Sequence, residues 1–300
     1  ARAAPNTGAA PWSSDYRQPA DGKSHFHYGV FNMGPCPLPG GKLAFTSNRD
    51  GFRPPKGYPA IAALLEDALP EMAAGIDAIE AVAEDLKRIA HDAKAPEPRW
   101  DQDWFCGLDA AMLYAQIRRH RPARVVEIGS GHSTRFAARA IADGGLDTRL
   151  IAIDPEPRAH LDALKAEWHR ETLQQALANS GGHVIAAFHP GDLLFVDSSH
   201  ILMPGTDVEL ILTELLPRLP SGALVHVHDI FLPDAYPEHW AWRGYNEQGA
   251  VAAMLAGGGW DILFASRFAR QRFEERLRNG PLGAYYDAAG PATILWLAKR

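Results

Sequence analysis

Residues 125–134 read VVEIGSGHST. A short apolar run enters Gly-Ser-Gly, and the next stretch, STRFAARAIAD, carries a helical pattern. A strand that turns through glycines into a helix is the opening unit of a doubly wound α/β sheet. Gly129 and Gly131 permit a tight turn and let a ligand approach the backbone closely. In such a fold the ligand lies beyond the carboxyl ends of the strands. Glu127 stands two residues before Gly129, where a dinucleotide fold usually keeps an apolar residue. Thr134 stands where the dinucleotide fingerprint wants a third glycine. An acid at Glu127 suits a cationic or hydroxyl-rich ligand better than a pyrophosphate.

The pattern repeats outward from this unit. GLDAAMLYAQIRRH before it is a helix, and RLIAIDP after it is a strand ending in Asp154. DLLFVDSSH is a strand, DVELILTELLPRL a helix, and ALVHVHDIFLP a strand. GAVAAMLAGG is a helix, followed by strands WDILFASRF and ATILWLAKR. Strands alternating with helices predict a parallel, helix-covered sheet. The last two strands lack an obvious intervening helix, so the final one is expected antiparallel, at or near an edge. PRAHLDALKAEWHRETLQQALANS reads as helical at first, and residues 171–190 show no clear third strand.

Residues 1 to about 57 are rich in Gly, Pro, Asn and Ser, which predicts irregular structure with a short hairpin. In the following segment Leu65, Leu69, Met72, Ile76, Ile79, Val82, Leu86 and Ile89 recur at helical spacing. That is an amphipathic helix, kinked or restarted at Pro70, which either packs on the main domain or forms an oligomer interface. We divide the chain into an N-terminal extension, residues 1–99, and a catalytic domain, residues 100–300.

The 300 residues are 46% hydrophobic with a formal charge of −6. A soluble globular protein is expected, without the basic excess of a nucleic-acid binder. No apolar run approaches a membrane span, and the N-terminus has no secretory apolar region. The two cysteines, Cys36 and Cys106, have no metal or redox spacing, which fits a reducing, cytoplasmic setting.

Asp154, at a strand end, can accept two hydrogen bonds from ribose hydroxyls, which works for NAD or for S-adenosylmethionine. Taken together, VVEIGSGHST, GDLLFVDSSH, LVHVHDIFLP and YNEQ resemble the class I S-adenosylmethionine-dependent methyltransferases. More narrowly they are similar to a bacterial subgroup of the Methyltransf_24 type, over about residues 100 to 300. The resemblance implies a Rossmann-like, seven-stranded, mostly parallel sheet with an antiparallel last strand. It implies that Glu127, Gly129, Gly131 and Asp154 contact S-adenosylmethionine, and we count Ser130 and Asp197 with that set.

Asp197 ends one strand, with Ser198, Ser199 and His200 in its turn; His228 and Asp229 end the next. In the class I fold these strands are neighbours, so the four ionisable groups are expected to converge beside the sulfonium. A histidine within reach of an acceptor hydroxyl can remove its proton near neutral pH. Alternatively a divalent cation bound by Asp197, His228 and Asp229 lowers the hydroxyl pKa, with Mg²⁺ favouring carboxylates and Fe²⁺ or Mn²⁺ admitting histidine. Asp197-Ser-Ser-His200 resembles the Asp-x-x-His of some sugar O-methyltransferases. That makes His200 the first choice of base, with His228 and Asp229 as further catalytic candidates. His226 lies two residues before His228 on the same face, about 6 to 7 Å deeper in the sheet, and is expected buried and hydrogen-bonded.

The aromatic segment LPDAYPEHWAWRGYNEQ either walls a substrate pocket or packs elsewhere, and Asn246, Glu247 and Gln248 orient substrate or Asp229. SRFARQRFEERLR reads as a solvated helix with intrahelical ion pairs, or as a clamp for an acidic substrate. The expected function is methyl transfer to a small-molecule hydroxyl. The competing readings are an NAD-dependent oxidoreductase and a non-catalytic binding or assembly protein on this fold. The expected partner is a small molecule, with no nucleic acid or membrane; a homo-oligomer through the N-terminal helix is the alternative to its packing on the main domain.

Overall fold

The computed structural model describes residues 35–37, 43–45, 56–105, 107–157, 161, 163–179, 188–283, 285 and 292–300. Residues 1–55 and 56–300 form separate compact units. In the first, β1 (Pro35–Pro37) pairs antiparallel with β2 (Leu43–Phe45) as a short hairpin. The remainder of the irregular reading of residues 1–55 lies outside the described residues, as does Cys106.

In the second unit β3 (Arg124–Ile128), β4 (Arg149–Ile153), β5 (Glu167–His169), β6 (Leu193–Val196), β7 (Leu224–Val227), β8 (Trp260–Ala265) and β9 (Leu295–Lys299) form one sheet. Their order is β5-β4-β3-β6-β7-β9-β8, with only β9 antiparallel to its neighbours. This is the seven-stranded, Rossmann-like sheet expected. β9 slots between β7 and β8, so β8 holds the edge. The chain moves one way from β3 to β4 and the other way to β6, and the crevice at that switch point is where an open α/β sheet binds its ligand.

β5 corrects the reading of residues 157–180 as helical at first, although a helix at Leu173–Asn179 does fall within them. Glu167–His169 pairs parallel with β4, and Arg149 Nε donates to Glu167 Oε2 at 2.9 Å. Three residues are too few for an alternation pattern to show.

The N-terminal helical segment is three helices, α1 (Pro59–Asp67), α2 (Leu69–Ala81) and α3 (Ala83–Lys87). Pro70 falls in the first turn of α2, where a missing N–H removes no helical bond. The face carrying Leu65, Met72, Ile76, Ile79, Leu86 and Ile89 is buried in the same core as the sheet. At Gly75 a side-chain carbon would stand 3.0 Å from Phe264 of β8 and 3.2 Å from Met112 of α4 (Gly107–His120). The apolar face is thus covered within the chain.

Among the described residues the further α-helices are α5 (His132–Asp143), α6 (Leu173–Asn179), α7 (Asp207–Leu210), α8 (Glu247–Ala256), α9 (Ser266–Arg272) and α10 (Glu274–Asn279). The arginines of α9 and α10 reach mainly between elements: Arg272 pairs with Glu66, and Arg276 with Asp77 and Glu80. Arg278–Glu274 is intrahelical. Among the described residues no helix is long and apolar enough to cross a membrane.

Candidate active site

The glycine turn is shaped by what lies under it. Gly129 has φ +81°, and a β-carbon there would fall 2.1 Å from the Asp197 carbonyl oxygen. Only glycine fits where the turn after β3 crosses the end of β6. Gly131 opens onto free space, and its N–H donates to Thr134 Oγ1 at 2.9 Å. The residue replacing the third glycine therefore serves to pin the turn.

Glu127 is 1% exposed on β3. Its Oε1 accepts from Ser133 Oγ at 2.5 Å, whereas Oε2 is buried without a partner among the described residues. Burial pushes its carboxyl up to about 8, against the Ser133 and Thr134 hydrogen bonds. Glu127 is not among the residues lining the cavity that joins the glycine turn to Asp197, and its orphaned oxygen is a buried polar atom in want of a partner. Asp154 Oδ2 accepts from Ser130 N at 2.9 Å and Ser130 Oγ at 2.7 Å, and Oδ1 from Glu156 N at 2.8 Å. Three of the roughly four acceptor positions of a carboxylate are used, leaving one on Oδ1.

A cavity of about 1110 Å³ joins Gly129, Ser130, Gly131 and Asp154 to Asp197, His200, His228 and Asp229. His200 Nε2 lies 3.2 Å from Asp197 Oδ1 and 3.5 Å from Asp229 Oδ2. His228 Nδ1 lies 3.4 Å from Asp197 Oδ1 and 3.6 Å from Asp229 Oδ1. His200 and Asp229 are non-glycine residues with positive φ, +60° and +56°. Such backbone persists where the surroundings over-determine it, commonly at functional sites.

Charge explains the protonation states. Burial would lower both histidines, but the carboxylates override it. Asp197 and Glu247 hold His200 well above the usual histidine range, and Asp229 and Asp197 raise His228 to about 9. Burial would raise Asp197, yet His228 and His200 hold it well below the usual carboxylate range.

Asn246, Glu247 and Gln248 clamp the two loops that carry this cluster. Glu247 Oε2 sits 3.0 Å from His200 Nδ1. Asn246 Oδ1 accepts from Leu202 N at 2.6 Å, and Gln248 Oε1 accepts from Phe231 N at 2.5 Å. Glu247 thus orients His200, whereas the sequence reading assigned this triplet to substrate or Asp229.

Behind His228 lies a group the sequence reading missed. Thr293 Oγ1 is 3.4 Å from His228 Nε2 and 3.3 Å from Asp109 Oδ2, which also accepts from Thr293 N at 2.8 Å. Burial pushes Asp109 up to about 6 despite the nearby His228 charge. Its signal was an acid amid Leu108, Ala110 and Ala111, all buried. His226 departs from expectation. It is fully buried 6.4 Å from the His228 ring, but neither ring nitrogen has a hydrogen-bond partner among the described residues. Phe195 stacks on it at 3.9 Å, and burial holds it well below the usual histidine range, so it packs as a neutral ring.

The residues expected to ligate a metal, Asp197, His228 and Asp229, are brought together, but as ion-pairing neighbours. Among the described residues no group of three or more His, Cys, Asp or Glu is arranged to hold a metal ion.

Residues 126–230 match the sequence profile of a methyltransferase-domain family, Methyltransf_24. Over those residues, about a third of the chain, the protein is similar to a methyltransferase domain. The match runs from within β3 to the turn after β7 and includes the glycine turn, Asp154, Asp197, His200, His228 and Asp229 of the cavity lining. No curated protein matches the sequence significantly. Among solved structures, the methyltransferase domain is similar to the O-methyltransferase TomG from Streptomyces achromogenes, at 19% identity over 75% of this chain and 89% of that one, with TM-score 0.38. It is similar to the methyltransferase PaMTH1 of Podospora anserina at 16% identity over 75% and 88%, TM-score 0.39. It is also similar to an O-methyltransferase from Bacillus cereus at 13% identity over 80% and 97%, TM-score 0.37. At these scores the likeness carries no assignment of activity.

Proposed function

We propose that the protein transfers a methyl group from S-adenosylmethionine to a hydroxyl oxygen of a small molecule. The observation that carries this is the single cavity joining the glycine turn to the Asp197–His200–Asp229 cluster. In this reading Asp154 takes the cofactor ribose through its free acceptor position, Gly129 and Gly131 give the chain its close approach, and Glu127 receives the cofactor ammonium directly or through water. The sulfonium then lies beside Asp197.

The acceptor hydroxyl loses its proton to His200 Nε2, its oxygen bonds to the methyl carbon, and the carbon–sulfur bond breaks with its electron pair on sulfur. S-adenosylhomocysteine is the product. Glu247 fixes which His200 nitrogen faces the acceptor, in the manner of a buried acid behind a catalytic histidine. In the empty site the carboxylates favour a protonated His200. A bound sulfonium adds a cation to the same cluster and so favours release of that proton, readying the base. Alignment of oxygen, carbon and sulfur supplies much of the remaining rate.

A crystal structure with S-adenosylhomocysteine tests the assignment. The expected pose has ribose on Asp154 and sulfur facing Asp197 and His200. A ligand bound elsewhere, with the crevice empty, overturns it.

A further inference from the structure

We infer that Arg243 is the anion-binding residue for the methyl acceptor, so that the acceptor is a hydroxyl compound that also carries an oxyanion, a carboxylate or a phosphate. This rests on the methyl-transfer reading above.

Arg243 lines the same cavity as His200 and Asp229. Its guanidinium carbon lies 4.3 Å from the Trp240 ring centre, 5.0 Å from Trp242 and 5.4 Å from Tyr245. One end nitrogen donates to Tyr245 Oη at 3.0 Å. Among the described residues its buried Nε has no acceptor and its guanidinium no carboxylate within ion-pair distance. Other arginines of the C-terminal half, such as Arg267, Arg272 and Arg276, are matched to acids. A guanidinium packed among aromatic rings has little further freedom to lose, and its remaining N–H groups present a fork that fits a planar or tetrahedral oxyanion.

Position ties this fork to the acceptor. The Tyr245 ring packs 4.5 Å from the His200 ring, so Arg243 sits one side chain away from the group that receives the acceptor proton. The cofactor has a carboxylate of its own, but that charge has other takers. His132, at the start of α5, and Arg99 and Arg135 line the glycine-turn end of the cavity. Burial, with the nearby Arg135 and Arg99 charges, lowers His132 to about 4, so the positive field at this end suits an anion. Arg243, on the His200 side through Tyr245, is left for the second substrate. Trp240 and Tyr245 supply flat apolar surface for the body of that molecule.

The test titrates inorganic phosphate and benzoate into the protein, with and without saturating S-adenosylhomocysteine, at constant ionic strength, following tryptophan fluorescence. At least one probe is expected to give a saturable change whose dissociation constant rises fivefold or more in Arg243→Gln. S-adenosylhomocysteine affinity should stay within twofold of the parent. Arg243→Lys should recover part of the probe affinity. The proposal is overturned if neither probe saturates, if Arg243→Gln leaves the constant unchanged, or if Arg99→Gln alone abolishes the response. Failure of the parent protein to bind S-adenosylhomocysteine overturns the methyl-transfer reading instead, and the probe arm without cofactor still judges the anion site.

Discussion

Glu247 Oε2 stands 3.0 Å from His200 Nδ1, with the two side chains only 1% and 5% exposed. A buried acid behind a histidine fixes which nitrogen carries the proton and supports the cation formed during turnover. Glu247→Gln keeps the shape and removes the charge. Methyl transfer is expected to fall about 100-fold or more, with S-adenosylhomocysteine affinity within twofold of the parent. Single-turnover rates beside calorimetry check this; equal losses in both would place Glu247 in cofactor binding.

Gly129→Ala probes the crossing of the turn over β6. The added carbon would meet the Asp197 carbonyl oxygen at 2.1 Å from a backbone at φ +81°. Cofactor binding should be lost and stability should drop by about 2 kcal/mol or more, since a strained positive-φ site and a backbone clash add. Denaturant melts with and without S-adenosylhomocysteine read both effects.

Ile76→Ala tests whether α2 belongs to the catalytic unit. Ile76 is 2% exposed in the shared core. The expected cost is about 2–4 kcal/mol in a single cooperative transition. A separate early transition with the main one unmoved would instead make residues 58–99 an independent extension.

The pH dependence follows from two buried groups. His228 is raised to about 9 against an ordinary 6.5, so its stabilising charge is fully present below 6.5 and is lost as pH climbs through 9. Glu127, raised by burial to about 8 from 4.5, costs stability progressively as pH climbs from 4.5 to 8 and no further above that. Both act in one direction. The melting temperature of the empty protein should fall by about 5 °C or more between pH 6.5 and 9.5, measured by calorimetry. A flat profile over that window would contradict the charge assignments.

Much of this was legible in the residues. Gly-Ser-Gly after an apolar run, with acids ending successive strands, located the crevice, and β3, β4, β6, β7 and β9 follow the patterns read for them. β5 escaped because a three-residue edge strand beginning and ending on Glu167 and His169 has no apolar period. The packing of α2 on β8 was open because periodicity says which face is buried, not what covers it. Asp109 and Thr293 lie 184 positions apart in the chain, and only the fold brings them behind His228. His226 was misjudged for a related reason: its aromatic cage of Phe195 and Trp296 comes from two other strands, so nothing local revealed that a neutral ring packs there unbonded.

The central claim is that the crevice beyond β3 and β4 binds S-adenosylmethionine. Calorimetric titration of the full chain with S-adenosylhomocysteine, with NAD in parallel, tests it most directly. The account predicts one saturable site for S-adenosylhomocysteine, weakened about tenfold or more by Asp154→Ala as one charge-assisted hydrogen bond is lost, and no comparable binding of NAD. Binding of NAD in its place, or no binding with Asp154→Ala silent, would contradict it.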